Sequence, residues 1–261
     1  MRLIERYGEG VASELLSTYG EAYFEHRSRD LDVLDVERTR LADEGMPLHV
    51  ELGAERGNFL EGLATAYPEV RSLGIEWRPK FVRMGNERFD RRGIENARLL
   101  HADAKVAVPI LFPLASVQAF YVLFPDPWWK ARHATRRLLD PVFMRVLARR
   151  LVPGGRIYLK SDVFDYLYRV RASAEVSAAM RPLGPERWPD ERDWNLSTRE
   201  RKCRMAALPY GCVYLERRPD FPGGLPTEPE RPEAFPVPDV IDALELIRGP
   251  ALVDKIARRS S

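Results

Sequence analysis

Between Pro47 and Met180, short apolar runs alternate with segments of helical spacing, and this alternation constrains the chain more than any other feature. Leu48–Leu52 is an apolar run that enters a glycine loop at Gly53. Asn58–Tyr67 then reads as a helix, Arg71–Glu76 as a strand, Pro79–Arg91 as a helix and Ala97–His101 as a strand. Val117–Phe124 is a strand that is apolar on both faces. Pro141–Leu151 is a helix stopped by Pro153-Gly154-Gly155, and it is followed by strand Arg156–Lys160 and helix Phe164–Met180. Strands joined through helices run parallel, and a parallel sheet is covered by helices on both faces. The pattern predicts a doubly wound α/β domain. Arg204–Pro209 and Cys212–Arg217 are read as two closing strands, which brings the sheet to seven.

The flanks differ from this core. Residues 1–46 read as a helical N-terminal extension with an apolar face of Val11, Leu15, Leu16 and Tyr19; residues 47–218 form the main domain. Residues 219–261 comprise a proline-rich linker, Pro219–Pro238, and a segment of helical spacing, Asp239–Arg259. Val106–Pro125 carries no charge over twenty residues, close to the length a bilayer requires. It also holds three prolines, Ser116 and Gln118, so it reads as helix end, loop and buried strand. Charge and apolar residues mix in Met1-Arg2-Leu3-Ile4-Glu5-Arg6, unlike a secretory leader, and a cytoplasmic location without a membrane is expected. Two cysteines and four histidines show no metal-ligand spacing, so no metal is expected. The net charge of +2 is no nucleic-acid signature by itself. A monomer and a homodimer stay equally open.

Chemistry concentrates where the strands end. Glu51-Leu52-Gly53-Ala54-Glu55-Arg56-Gly57 is a glycine loop between strand and helix, and Glu76 stands at the end of the next strand. Gly53 lets a nucleotide approach the backbone, and an acid about 20 positions on suits ribose hydroxyls. That arrangement fits NAD enzymes and S-adenosylmethionine enzymes alike. Glu51 and Glu55 would repel a pyrophosphate but tolerate a sulfonium and an ammonium, which favours S-adenosylmethionine. Asp103, just past the third strand, is suited either to the exocyclic amine of an adenine or to capping a helix.

The most specific stretch is Leu123-Phe124-Pro125-Asp126-Pro127-Trp128-Trp129-Lys130-Ala131-Arg132-His133. Two prolines fix Asp126 at the carboxyl end of a central strand, where such sheets bind ligands. A carboxylate there can pair with N1–H and N2–H of guanine and leave N7 free, while Trp128 and Trp129 offer stacking surfaces. Lys130, Arg132, Arg136, Arg137, Arg145, Arg149 and Arg150 follow, against the single acid Asp140. Lys130 to Arg137 read as a phosphate-binding strip for RNA, and Arg145, Arg149 and Arg150 as a solvated helix face. Asp162, after the fifth strand, either holds a substrate group or caps the next helix. Ser197-Thr198-Arg199-Glu200 opens a further charged patch.

Over about residues 47–217 the chain resembles the bacterial tRNA (guanine-N7)-methyltransferases, class-I enzymes that modify guanine 46 in the tRNA variable loop. The resemblance rests on Phe124-Pro125-Asp126-Pro127-Trp128 with Lys130, Arg132, His133 and Arg136-Arg137, and on Gly74-Ile75-Glu76, Asn96-Ala97-Arg98-Leu99, Asp103-Ala104, Pro153-Gly154-Gly155 and Ser161-Asp162 in the family's order. It implies a Rossmann-like class-I methyltransferase fold. It implies S-adenosylmethionine binding by the loop of Glu51 and Gly53 and by Glu76, Asp103 and Asp126, with Asp126 catalytic. It implies tRNA contacts at Lys130 and Asp162, across Arg132, His133, Arg136 and Arg137, and at Ser197 and Glu200. The proline-rich tail from Pro219 onward lies outside the family's pattern, and within that pattern two residues depart: Glu55 replaces the middle glycine of the loop, and Ser197 replaces the threonine of a Thr-x-x-Glu motif. They motivate the alternative of a catalytically inactive tRNA-binding protein on the same fold.

Overall fold

The computed structural model describes residues 3–42, 47–127, 137–191 and 195–231. Its elements run α1 (Leu3–Tyr19), α2 (Ser28–Ala42), β1 (Leu48–Leu52), α3 (Asn58–Ala66), β2 (Arg71–Glu76), α4 (Pro79–Arg91), β3 (Ala97–His101) and α5 (Ala104–Leu111). After them come β4 (Val117–Leu123), α6 (Pro141–Arg150), β5 (Leu151–Ser161), α7 (Phe164–Ser177), β6 (Met180–Pro182), α8 (Thr198–Met205) and β7 (Gly211–Arg217). The seven strands form one sheet in the order β3-β2-β1-β4-β5-β7-β6. The first five are parallel, and β7 is antiparallel to both of its neighbours. The mostly parallel, doubly wound α/β sheet predicted from the alternation is what the chain forms.

Period-two side-chain alternation divides each central strand between two cores. Phe120 and Val122 of β4, Ile157 and Leu159 of β5, and Val213 and Leu215 of β7 face a large apolar cluster shared with α1, α2, α5, α6 and α7. Tyr121, Leu123, Tyr158, Cys212 and Tyr214 face the opposite side, where Phe59 and Leu63 of α3 pack. The twenty uncharged residues are thus α5, a loop and β4, and among the described residues no helix is long and apolar enough to cross a membrane.

Three readings of the sequence are corrected. Arg204–Pro209 is not a strand: α8 runs to Met205, because Ser197 caps its start and its charged run keeps its face in solvent. The sheet's seventh strand is instead β6, which the helical reading of Phe164–Met180 hid. Nor do Arg145, Arg149 and Arg150 form a solvated face. Arg149 and Arg150 are buried against Glu14 of α1, at 3.1 Å and 2.5 Å, and Arg149 and Arg145 also reach Glu230, at 2.8 Å and 2.6 Å. The described part of the proline-rich tail is accordingly a strap. Phe221 is buried, Ser13 Oγ donates to Thr227 O, and the Glu230 amide donates to Ser17 Oγ. Leu225 lies so close to Gly10 that a Cβ there would meet it at 2.4 Å. Residues 232–261, with the predicted helix Asp239–Arg259, lie outside the described residues.

Candidate active site

The carboxyl ends of β1, β2, β3 and β4 carry the predicted cofactor residues. At the glycine loop, the Gly53 and Ala54 amides both donate to Ile75 O, at 2.8 Å and 3.2 Å, which ties the loop to β2. Gly53 sits at φ +81° with nothing within 4 Å of the position a Cβ would take, so open space lies against the backbone there. The next β2 residue, Glu76, is buried, and its two oxygens accept the amides of Glu55 (3.0 Å) and Arg78 (2.9 Å). These bonds fix the carboxylate at the strand end.

Glu55 takes φ +50°, the left-handed region the replaced glycine would occupy without strain. A side chain in that region costs on the order of 1–2 kcal/mol. Glu55→Gly is therefore expected to stabilise the fold by up to about 1 kcal/mol, net of glycine's extra chain entropy, and to raise the urea midpoint at constant slope.

Glu51 is the clearest sign of an absent charged partner. It is buried, and its Oε2 has no hydrogen-bond partner. Burial raises its pKa well above the usual carboxylate range; the charges of Glu55 and Glu76 add to this, and the Leu60 amide opposes it. A cation bound beside it would favour the ionised carboxylate and draw that pKa back down. Its neighbours Glu55 and Glu76 make the site hostile to a pyrophosphate and receptive to the ammonium and sulfonium of S-adenosylmethionine, so the residues present fit that group.

A pH dependence follows. As pH rises above about 4.5, the unfolded chain releases the Glu51 proton while the folded chain retains it, so ligand-free stability falls. Glu51→Gln is expected to melt higher than the unaltered protein at about pH 7.5 and to match it at about pH 4.

Asp103 has the capping role that one sequence reading gave it: its carboxylate accepts the Lys105 amide at 2.9 Å at the start of α5. Two tyrosines of the N-terminal segment also reach it, Tyr19 at 2.7 Å and Tyr23 at 3.4 Å.

At the end of β4, Phe124 is held at φ +54° immediately before Pro125. Its amide donates to Lys160 O at 2.7 Å, and its ring packs 5.6 Å from Tyr210. A left-handed residue before proline is strained, and strain of this kind clusters where a neighbour must be aimed. The neighbour here is Asp126, which is exposed. Trp128, Trp129, Lys130, Arg132, His133 and Arg136 lie outside the described residues. Arg137, partly buried, precedes the start of α6.

At the end of β5, the capping reading of Asp162 fails. Ser161 Oγ accepts the Val163 amide at 3.1 Å, while Asp162 takes Arg199 Nε at 3.1 Å from α8. Ser197 Oγ accepts the Glu200 amide at 3.2 Å as the cap of α8. Glu200 turns inward rather than to solvent, and it accepts Lys160 Nζ (3.1 Å), Tyr210 Oη (3.0 Å) and Arg204 Nη2 (3.1 Å). Lys160 also meets Glu191 at 2.5 Å. Burial works to lower the Lys160 pKa, but the two glutamates outweigh it and hold the ammonium above its ordinary value. Lys160, Glu191 and Tyr210 were missed in the sequence; the available signal was a lysine directly following the apolar run Ile157-Tyr158-Leu159.

Comparisons with known proteins agree with this geometry. The family model Methyltransf_4, described as "Putative methyltransferase", matches residues 45–207. A tRNA (guanine-N(7)-)-methyltransferase of Myxococcus xanthus is 36% identical over 172 residues, 66% of this chain and 82% of that one. One from Anaeromyxobacter dehalogenans is 38% identical over 182 residues, 68% and 89% of the two chains. A third, from Thermosynechococcus vestitus, is 35% identical over 157 residues, 60% and 73%. With strand-end acids on one sheet edge and relatives matched over most of their length, the chain belongs to the tRNA (guanine-N(7)-)-methyltransferase family.

Proposed function

We propose that this protein transfers a methyl group from S-adenosylmethionine to N7 of guanine 46 in tRNA. The observation that carries the reading is the buried Glu51, whose Oε2 has no hydrogen-bond partner, on the strand beside β4, whose end presents Asp126. When bound, the cofactor supplies a methyl already activated by a sulfonium. Glu51 provides the counter-charge for its cationic part, the fixed Glu76 carboxylate takes ribose hydroxyls, and Asp103 takes the adenine amine. Guanine N7 has a free lone pair, so no proton has to be removed before attack. What remains for the protein is alignment within about 3–3.5 Å.

Asp126 accepts from N1–H and N2–H of the guanine, which sets N7 toward the methyl and offsets the positive charge that develops on the ring. The base leaves its stack at a cost of a few kcal/mol. Contacts of Lys130, Arg132, His133, Arg136 and Arg137 with tRNA phosphates offset that cost. Arg199 on Asp162 and the exposed Arg201 and Lys202 add positive charge on α8. The substrate suits a cytoplasmic location.

The test is incubation with methyl-labelled S-adenosylmethionine and unmodified bulk tRNA, followed by nucleoside analysis. Label in 7-methylguanosine that disappears from a tRNA lacking guanine 46 is the expected result. Filter retention of tRNA without any label would instead identify an inactive tRNA-binding protein.

A further inference from the structure

Asp103 is better furnished than a helix cap requires. Capping α5 takes one oxygen and one amide, and Oδ1 already accepts the Lys105 amide at 2.9 Å. Yet Tyr19 Oη donates to the same oxygen at 2.7 Å, and Tyr23 Oη approaches Oδ2 at 3.4 Å. The two phenol rings stack at 4.0 Å between centroids and 14° between planes. Phe24 packs edge-on against both, and Arg27 covers Tyr23 at 4.3 Å. Burial, reinforced by the Asp103 charge, pushes the Tyr23 hydroxyl up to about 12 and the Tyr19 hydroxyl higher still, so both remain protonated donors.

The consequence is an asymmetric carboxylate. Oδ1 is fully engaged, whereas Oδ2 has only one long contact and keeps its capacity to accept a strong hydrogen bond. Asp103 follows β3, whose last residue, His101, is in register with Glu76 of β2. Oδ2 thus belongs to the strand-end edge that carries Glu76. The donors that lock it come from residues 19 and 23, ahead of the 45–207 stretch that the family model matches.

We propose that the stacked pair Tyr19–Tyr23 is part of the cofactor site: it fixes the Asp103 carboxylate so that Oδ2 is presented to an exocyclic amine. The N-terminal segment thereby selects a 6-amino purine nucleoside over a 6-oxo one. The inference rests on the reading of the strand-end acids as an S-adenosylmethionine site. Tyr19 and Tyr23 act through Asp103 and are positioning residues. A carboxylate held in one rotamer binds an amine without first paying to order itself. A 6-oxo purine presents an acceptor at the same place and meets the carboxylate with repulsion.

The test is calorimetric titration of S-adenosylhomocysteine and S-inosylhomocysteine into the full chain, as the unaltered protein, Tyr19→Phe with Tyr23→Phe, and Asp103→Asn. The phenylalanines keep the ring stack and remove only the hydroxyls. The expected result is a loss of about tenfold in affinity for the adenosyl ligand in the double variant, the size of a charge-assisted hydrogen bond. Affinity for the inosyl ligand should change less than about twofold, and Asp103→Asn, with both tyrosines intact, should lose the discrimination as well. Equal weakening of both ligands would reduce the tyrosines to scaffolding and overturn the proposal. So would unchanged or tighter binding of the adenosyl ligand. No heat with S-adenosylhomocysteine in the unaltered protein would overturn the cofactor reading itself, a different result from loss of selectivity alone.

Discussion

Asp126→Ala is expected to reduce methyl transfer to tRNA by at least about 10²–10³-fold while leaving the fold intact. The size follows from two contributions lost together. Without the carboxylate, guanine loses the pair of acceptors that set its rotation about the site, and misplacement of the order of 1 Å costs about 10²-fold in such an alignment-limited step. The ring also loses the negative charge that offsets its developing positive one. Asp126 is exposed and takes part in neither core, so the melting temperature should hold. Single-turnover rates at saturating tRNA, with thermal melts on the same preparations, separate the two effects. Near-native turnover would remove Asp126 from the reaction. Asp126→Asn should recover less than a purely steric role would allow, because it keeps the shape but not the charge.

The largest stability effect is expected at Glu14→Ala, far from the chemistry. Glu14 is fully buried, and Arg150, at 1% exposure, has its guanidinium on both Glu14 oxygens. Burial lowers the Arg150 pKa, and the neighbouring glutamate opposes that shift. Removing Glu14 strands a buried guanidinium, and breaking such a pair costs about 3–5 kcal/mol. In a chain of this size that is a fall of roughly 10 °C in melting temperature. Arg149 keeps Glu230 and is affected less. The double variant Glu14→Leu with Arg150→Met should regain much of the loss, since apolar residues of similar volume often replace a buried pair without penalty. Denaturant melts of the three proteins decide this. Equal stability of Glu14→Ala and the unaltered chain would show that solvent reaches Arg150.

The same arginines show where sequence reading succeeds and where it stops. Six of the seven strands were legible because their apolar runs are bounded by glycine, proline or charged residues and because β4 is apolar on both faces; the three-residue β6 carries no such run. The placement of Asp126, Glu51 and Glu76 at or beside strand ends was legible because in such sheets the loops that follow the strands carry polar residues. Arg149 and Arg150 looked solvated because their partners are 135 and 136 positions away on α1, a pairing that no local spacing encodes. Glu200 looked like an exposed contact for the same reason: Lys160 and Tyr210 draw it inward only once β5, α8 and β7 have assembled. Arg204–Pro209 was misread as a strand because a short charged helix has no apolar stripe, and only the Ser197 cap distinguishes it.

The strap carries a consequence for how the chain is made. Ser13 and Ser17 of α1 find partners 214 and 213 residues later, at Thr227 and Glu230. Helix α1 therefore cannot complete its surroundings until residue 230 has been synthesised, although chains in general begin folding from the N-terminal end. Glu14 of α1 waits without its partners until Arg149 and Arg150 have been translated, and the strap reaches α1 later still. The sheet can assemble during synthesis, whereas the seating of α1 and the strap together on α6 is a late, long-range closure and the slowest kind of contact to form.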